Sequence, residues 1–361
     1  MNQITHPITK KKLNINSIPG KKVLKQYIET FQKGDFNVME FNIWQEGTTA
    51  YNKDDPRFKN GVTEIANVIA EYKPEFVCII ENRNRDFLKI LSSEINKINS
   101  NLNYYSFGIT DTGILSLLPI DKGEYIWEWN KDDIGSIVKI EAKIKEQIIC
   151  IYSAHLDYHQ YVPFMENNIG GNDWKCDKKD LSPEQIKKKS ASTFRVKQIE
   201  TFLKHAKNDI LDDKIVIIGG DFNEPPNLSV YNELIKKGFV DSYREKYNNK
   251  KKNPGYTVDV HNVYCNKDTK SRIDFIFYNR YKLELNKCNI IGPTYRGEWE
   301  TRQNDFSFLD IYDDSIIVPK SIICNDYKRE KICWPSDHKA LLSEFKIKNI
   351  QNQITTPYSK E

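Results

Sequence analysis

Three short runs decide most of what this chain can become: Phe76-Val77-Cys78-Ile79-Ile80, Ile148-Ile149-Cys150-Ile151 and Ile215-Val216-Ile217-Ile218. Each is unbroken apolar sequence of strand length, rich in β-branched residues and far too short to cross a bilayer. Such runs read as buried strands, and the third, closed by Gly219-Gly220, reads as one buried on both faces. Polar residues follow them directly. Glu81 is the first charge after the first run, His155 follows the strand predicted over 147–154, and Asp221 follows the two glycines.

The rest of the pattern is mixed. Residues 36–44 alternate apolar and polar side chains as a half-buried strand does, and Val62, Ile65, Ala66, Ile69 and Tyr72 mark one face of a helix ending at Lys73-Pro74. Further helices are predicted over 86–95 and 188–206, with strands near 104–108, 113–117, 135–142, 271–278, 283–291 and 341–347. Without strict β-α alternation, and with hairpins among the strands, the chain is expected to form two packed mixed sheets with outer helices and not a barrel of repeating units. One domain over 35–348 fits best. Residues 1–34 read as a polar, Lys-rich extension with one amphipathic stretch at 23–31, and residues 349–361 as a polar tail.

Bulk charge excludes little and implies little. Lys+Arg of 54 against Asp+Glu of 50 leaves +4, too small a surplus to imply nucleic-acid binding by net charge. The clusters Lys10 to Lys12, Lys187 to Lys189 and Lys250 to Lys252 are read as solvated faces. Seven cysteines without a CxxC pair or a His-spaced cluster give neither a zinc site nor a disulfide framework, and Cys78 and Cys150 are expected in the core. No membrane span and no GxxxxGK[ST] loop is present. A soluble monomer is expected, cytoplasmic or secreted with its signal absent from this numbering.

Polar side chains at several strand ends can share one sheet edge although far apart in sequence. Glu81, Asp221, Asp274 and Asp337 gathered there would repel unless a cation or retained protons offset their charge, and a hard divalent ion suits oxygen ligands of this kind. In Gly219-Gly220-Asp221-Phe222-Asn223-Glu224-Pro225-Pro226, Asp221 could accept a proton from water and Asn223 could donate to a phosphoryl oxygen; an Asx turn is the structural alternative. Trp334-Pro335-Ser336-Asp337-His338 sets a carboxylate beside an imidazole, or a turn Asp beside a surface His. Asp274 inside an apolar strand needs a partner, either Arg272 in an ion pair or His338, the partner preferred here. His155 reads as a phosphate ligand or an acid, or as a histidine of the core.

Read in order, Glu40-Phe41-Asn42-Ile43-Trp44, Pro74-Glu75-Phe76 through Glu81, Ser153-Ala154-His155-Leu156-Asp157, Gly220-Asp221-Phe222-Asn223, Arg272-Ile273-Asp274 and Ser336-Asp337-His338 closely resemble the endonuclease/exonuclease/phosphatase superfamily, the deoxyribonuclease-I-like fold. The resemblance spans about 35–348. It implies an α+β, four-layered α/β/β/α sandwich of two mixed sheets flanked by helices, with the site at one edge between the sheets. It also implies roles: Glu81 for Mg2+ or Mn2+ with Asn42 and Asp337 nearby, Asp221 for the attacking water, Asn223 and His155 for the phosphoryl oxygens, and Asp274 for orienting His338.

The departure from the family pattern is the stretch 158–189 after His155-Leu156-Asp157, whose wording resembles a bacterial branch of the superfamily. It reads as a substrate-side lid or a packed surface loop, with Tyr158, Tyr161 and Trp174 as candidate substrate contacts. Arg195 just beyond it could reach a phosphate, or be a solvated helix residue. The expectation is a divalent-metal-dependent phosphodiesterase or phosphatase, hydrolysing a small or lipid-linked phosphate ester by in-line attack of water. A metal-dependent nuclease is the alternative, so a nucleic-acid partner is compatible but not required, and a catalytically inactive binding module of the same fold is a third reading.

Overall fold

Along the third apolar run, alternate side chains go to opposite faces, and neither face meets water. Ile215 and Ile217 enter one apolar cluster and Val216 and Ile218 another, all at or near zero exposure. These placements come from a computed structural model, which describes residues 3–5, 11–47, 61–84, 86–128, 134–166, 181–258, 270–293, 315–326, 329–332 and 334–348.

The chain opens with an antiparallel pair, β1 (Gln3–Thr5) and β2 (Lys12–Asn14), and helix α1 (Ile18–Lys33), capped by Ser17. Then come β3 (Asp35–Asn42), α2 (Gly61–Tyr72), β4 (Phe76–Asn82), α3 (Phe87–Ile98), β5 (Tyr105–Gly108), β6 (Asp111–Ser116), β7 (Lys122–Trp127), β8 (Ser136–Ile144) and β9 (Gln147–His155). The second half holds α4 (Val162–Glu166), α5 (Pro183–Ala191), α6 (Arg195–Leu211), β10 (Ile215–Asp221), α7 (Ser229–Lys236), β11 (Phe239–Asp241), α8 (Ser242–Lys246), β12 (Asp274–Asn279) and β13 (Leu283–Ile291). It closes with β14 (Ile316–Ile317), β15 (Ile323–Asp326), β16 (Arg329–Ile332) and β17 (Ala340–Ile347).

Two sheets carry the fold, one ordered β14-β13-β17-β3-β4-β6-β5 and the other β11-β12-β10-β9-β8-β7. Both are mixed, since β3–β4, β13–β14 and β9–β10 pair in parallel and the remaining neighbours are antiparallel. Val38, Phe76, Cys78 and Ile80 of the first sheet pack on Ile140, Ile151, Ile217 and Ile276 of the second. The outer face of the first sheet, including Met39, Phe41, Val77 and Ile79, is covered by Ile65 and Ile69 of α2 and Leu91 and Ile95 of α3. That of the second, with Tyr152, Val216 and Phe277, is covered by Ile199 and Phe202 of α6 and Leu234 of α7. This is the expected four-layered α/β/β/α sandwich, and burial on both faces explains the apolar runs.

Some local expectations are corrected. The helix predicted over 188–206 is two helices, α5 and α6. The hydroxyls of Ser192 and Thr193 take the carbonyls of Lys189 and Ser190, at 2.7 and 2.9 Å, and compete with the helical ladder there. The amphipathic stretch at 23–31 is the later part of the 16-residue α1. Strand β4 runs past Ile80 to Asn82 through a bulge, which proves important for the site. Cys78 and Cys150 are buried in the core as expected, and both are free thiols.

Candidate active site

Register places the site. Across the second sheet, Asp274 of β12 pairs with Asp221 of β10, Asp221 with His155 of β9, and His155 with Ser136 of β8. Residues paired in register point to the same face, so this row of four aims at the gap between the sheets. Gly220 lets β10 sit this close: a Cβ there would fall 1.9 Å from the Ala154 carbonyl oxygen. Two carboxylates directly opposite each other repel, an arrangement a purely structural sheet avoids. Burial first, then the charge of Asp274, pushes Asp221 up to about 6, with His338, His155 and the Asn223 amide opposing.

The first sheet answers with its own polar edge, and two imidazoles bridge the gap. His338 Nδ1 lies 3.0 and 2.9 Å from the two oxygens of Asp274. His155 Nδ1 lies 2.8 Å from Oδ1 of Asp111, the first residue of β6. Each couple therefore joins one sheet to the other, and the Nε2 atoms of His155 and His338 stand 3.9 and 3.8 Å from the same oxygen, Asp221 Oδ2. Burial alone would lower both imidazoles. The Asp111 charge and hydrogen bond, with Asp221 and Glu81, outweigh it and raise His155 to about 10, and Asp274 and Asp337 raise His338 well above its ordinary value. Both histidines are buried, which removes the surface-histidine alternative for His338.

Asp111 had no signal in the sequence, because its setting reads as a turn ahead of the strand predicted from Gly113. The β4–β6 ladder explains it. Register shifts between Ile80 and Asn82, so Glu81 is an extra residue facing no partner, with φ 66°, and Asn82 faces Asp111, with φ 88°. One bulge thus turns Glu81 into the edge and sets Asp111 beneath His155. Ser136 Oγ holds the other Asp111 oxygen at 2.6 Å and accepts from Thr112 Oγ1 at 2.9 Å.

Asn42 ends β3 and uses its amide nitrogen twice, 3.1 Å from Glu81 Oε1 and 3.1 Å from Asp221 Oδ2, while its Oδ1 accepts from the Trp44 amide at 3.0 Å. Trp44, Gln45 and Glu46 all have positive φ, and Glu46 Oε1 pins the turn by accepting from the Asn84 amide at 2.8 Å. Backbone strain of this kind, repeated at Glu81, Asp111 and Asn223, gathers where a site demands particular side-chain directions. The Asx turn is also present: Asp221 Oδ1 accepts from the Asn223 amide at 2.8 Å, and Asn223 Nδ2 donates to the Leu156 carbonyl at 2.9 Å. His338 is set by its own turn, where Ser336 Oγ accepts from the His338 amide and donates to the Asn42 carbonyl, at 3.0 and 2.6 Å. Arg272 does not pair with Asp274; it forms a bidentate pair with Asp241, at 3.1 and 2.7 Å.

The donor set fits a hard cation. Glu40, Glu81, Asp111, Asp221, Asp274 and Asp337 share this region with the imidazoles of His155 and His338. Glu40 is wholly buried, and burial together with the charges of Asp274 and Asp221 pushes it well above the usual carboxylate range, against His338 and the Asn42 backbone amide. Ligand atoms of Asp221, Asp274 and His338 all lie within 4.8 Å of one another. The same holds for Glu141, Cys150 and Asp209 elsewhere, but there Lys139 Nζ already sits 2.8 Å from Asp209 and 3.0 Å from Glu141.

A model of the endonuclease/exonuclease/phosphatase family matches residues 36–338. The chain belongs to this family. Its members are in general divalent-metal-dependent hydrolases of phosphoric esters. An uncharacterised protein of Caenorhabditis elegans, F14F9.5, is 26% identical over 270 residues, 67% of this chain and 77% of its own. Among solved structures, truncated TDP2 of C. elegans has a TM-score of 0.52 at 16% identity, over 88% of this chain and 99% of that one. The human Nocturnin catalytic domain with a bound sulfate anion has a TM-score of 0.53 at 15% identity, over 87% and 95%. These likenesses show the deoxyribonuclease-I-like fold.

The stretch 158–189 that departs from the family pattern contains α4 and the first part of α5, and Trp174 lies outside the described residues. Tyr158 stacks on His159, and Tyr161 packs edge-on against Phe164 and beside Val258 and Ile273. The solvated reading of Arg195 is corrected. At 0% exposure, its guanidinium donates to the Asp157, His159 and Gln160 carbonyls, at 2.7, 2.8 and 3.3 Å, and to Ser190 Oγ at 3.3 Å, with Glu224 3.7 Å away and Nε without a hydrogen-bond partner. Its terminal nitrogens are spent on the loop and on Ser190.

Proposed function

We propose that this family member hydrolyses a phosphodiester of a small molecule by in-line attack of water, at the edge where His155 and His338 converge on Asp221. That convergence carries the reading. Two carboxylate-oriented imidazoles and one carboxylate, all buried and drawn from both sheets, form a constellation suited to holding phosphoryl oxygens while a water is oriented and deprotonated.

Glu81, with Asn42 and Asp337, would hold Mg2+ or Mn2+, which when bound offsets phosphoryl charge as a Lewis acid. The chain's own groups do the rest. Asp221 Oδ2 orients the water and takes its proton, steadied by Asn42 Nδ2 at 3.1 Å. His338, held on Nδ1 by Asp274, and His155, held by Asp111, turn Nε2 toward the phosphoryl oxygens. Asn223 has one amide hydrogen on Leu156 and offers the other to the same group. A small ester is favoured over nucleic acid because a net charge of +4 over the whole chain gives little bulk attraction to a polyanion.

Purified protein assayed with Mg2+ or Mn2+ on an aryl phosphodiester and on plasmid DNA tests this. Hydrolysis of the aryl ester that stops with chelator and in Asp221→Ala is expected. Turnover surviving both treatments would overturn the mechanism, and DNA nicking without aryl-ester hydrolysis would overturn the small-substrate reading.

A further inference from the structure

A third imidazole repeats the arrangement of the first two. His159 lies four residues past His155, on the loop leaving β9, and its Nδ1 stands 2.7 Å from Asp157 Oδ1. Asp157 is committed to this loop: Oδ1 also accepts from the His159 amide at 2.9 Å, and Oδ2 accepts from the Phe194 amide at 3.0 Å. Beneath lies the buried Arg195, whose three carbonyl partners belong to Asp157, His159 and Gln160 of the same loop. Enclosing a guanidinium is costly to a fold, and here it holds the loop backbone in one shape from below.

With the backbone clamped, two rings are left facing outward. Tyr158 and His159 stack at 5.1 Å and 30°, and the His159 side chain remains 39% exposed. Nδ1 is taken by Asp157, and among the described residues no group meets Nε2. The Leu156 carbonyl, three residues before His159, accepts from Asn223 Nδ2 at 2.9 Å, which ties the start of this loop to the edge of the centre. The next residue, Gln160, holds Lys189 Nζ on its Oε1 at 3.1 Å, adding positive charge to this rim.

We propose that His159 Nε2 heads a second anion subsite at the rim of the phosphate-ester centre, which takes a second phosphoryl group of the substrate. This rests on the reading of the centre as a phosphate-ester site. With Nδ1 on a carboxylate, Nε2 is the ring position left to meet a phosphoryl group, through a proton shared between the two. Its exposure suits a group that is bound and not transformed. The substrate class is therefore an ester bearing at least two phosphates.

The full chain, labelled with 15N-histidine and kept in Mg2+, is titrated with inorganic pyrophosphate and separately with inorganic phosphate. His159→Asn keeps a donor for Asp157 at the place of Nδ1 but removes Nε2, and His159→Gln restores an amide donor near Nε2. Pyrophosphate is expected to shift the His159 resonance saturably, binding to weaken on the order of tenfold in His159→Asn, and His159→Gln to recover part of it. Phosphate alone is expected to move the His155 and His338 signals and leave His159 in place. The subsite is overturned if pyrophosphate moves only His155 and His338, or if His159→Asn binds it as tightly as the wild type. If no histidine responds to either anion and the aryl phosphodiester is not hydrolysed, the failure lies with the phosphate-ester centre itself.

Discussion

Asp274 embraces His338 with both carboxylate oxygens, at 3.0 and 2.9 Å from the same Nδ1, across the gap between two sheets. The partner residues are 64 positions apart in sequence. Asp111 and His155 make the mirrored connection, with the carboxylate on the first sheet and the imidazole on the second. Function is therefore tied to the spacing of the sheets, and each couple can be tested separately.

Asp274→Asn preserves shape but removes the charge that orients His338. We expect kcat on an aryl phosphodiester to fall about 10²- to 10⁴-fold, with the thermal midpoint changed by only a few degrees, as general acid–base groups of this kind contribute on that scale. Steady-state kinetics beside a thermal melt measures both, and an unchanged kcat would remove Asp274 from the site.

Asp111→Asn should show in the pH dependence of stability. His155 is raised to about 10, chiefly against the lowering effect of burial and by Asp111. A raised histidine binds its proton more tightly in the folded state, so its contribution is complete below about 6.5 and is lost as pH rises toward about 10. Chelated wild-type protein should lose on the order of a few kcal/mol over that window in urea titrations, and the variant should lose less. Parallel curves would refute the linkage.

Metal binding should be visible without turnover. With carboxylates facing one another at the edge, Mg2+ or Mn2+ added to chelated protein should raise the thermal midpoint, since a ligand binding only the folded state stabilises it. Glu81→Gln should shrink that rise while leaving the metal-free protein as stable or slightly more so, through relief of like charge. An equal rise in the variant would take Glu81 out of the metal site.

Lys139 lies on the helix-covered face of the second sheet, in register with Tyr152. It is 3% exposed and its ammonium reaches Asp209, Glu141 and Glu124, at 2.8, 3.0 and 3.2 Å. Lys139→Ala leaves Asp209 and Glu141 to Lys214 and Glu124 to Lys122, and should cost up to about 3–5 kcal/mol. The turnover of the remaining folded enzyme should be unaffected. Denaturant titration and active-site-normalised rates separate the two effects, and a loss below 1 kcal/mol would show that Lys214, 3.2 Å from Asp209, suffices alone.

Much of this was legible in the chain itself. The apolar runs at 76–80, 148–151 and 215–218 report local burial, and the polar residues at their ends, Glu81, His155 and Asp221, are set by short-range periodicity that needs no tertiary knowledge. Tertiary structure decided the rest. Asp111 sits in what reads as a turn, and only a bulge on the neighbouring strand, pairing Asn82 with it, brings it to His155. Arg195 falls inside the helix predicted over 188–206, where an arginine reads as solvated, yet the loop ahead of it folds over its guanidinium and buries it completely. Periodicity along one strand or helix is written in neighbouring residues. Register between strands, and contact between sheets, depend on residues far apart in the chain, and no local pattern carries them.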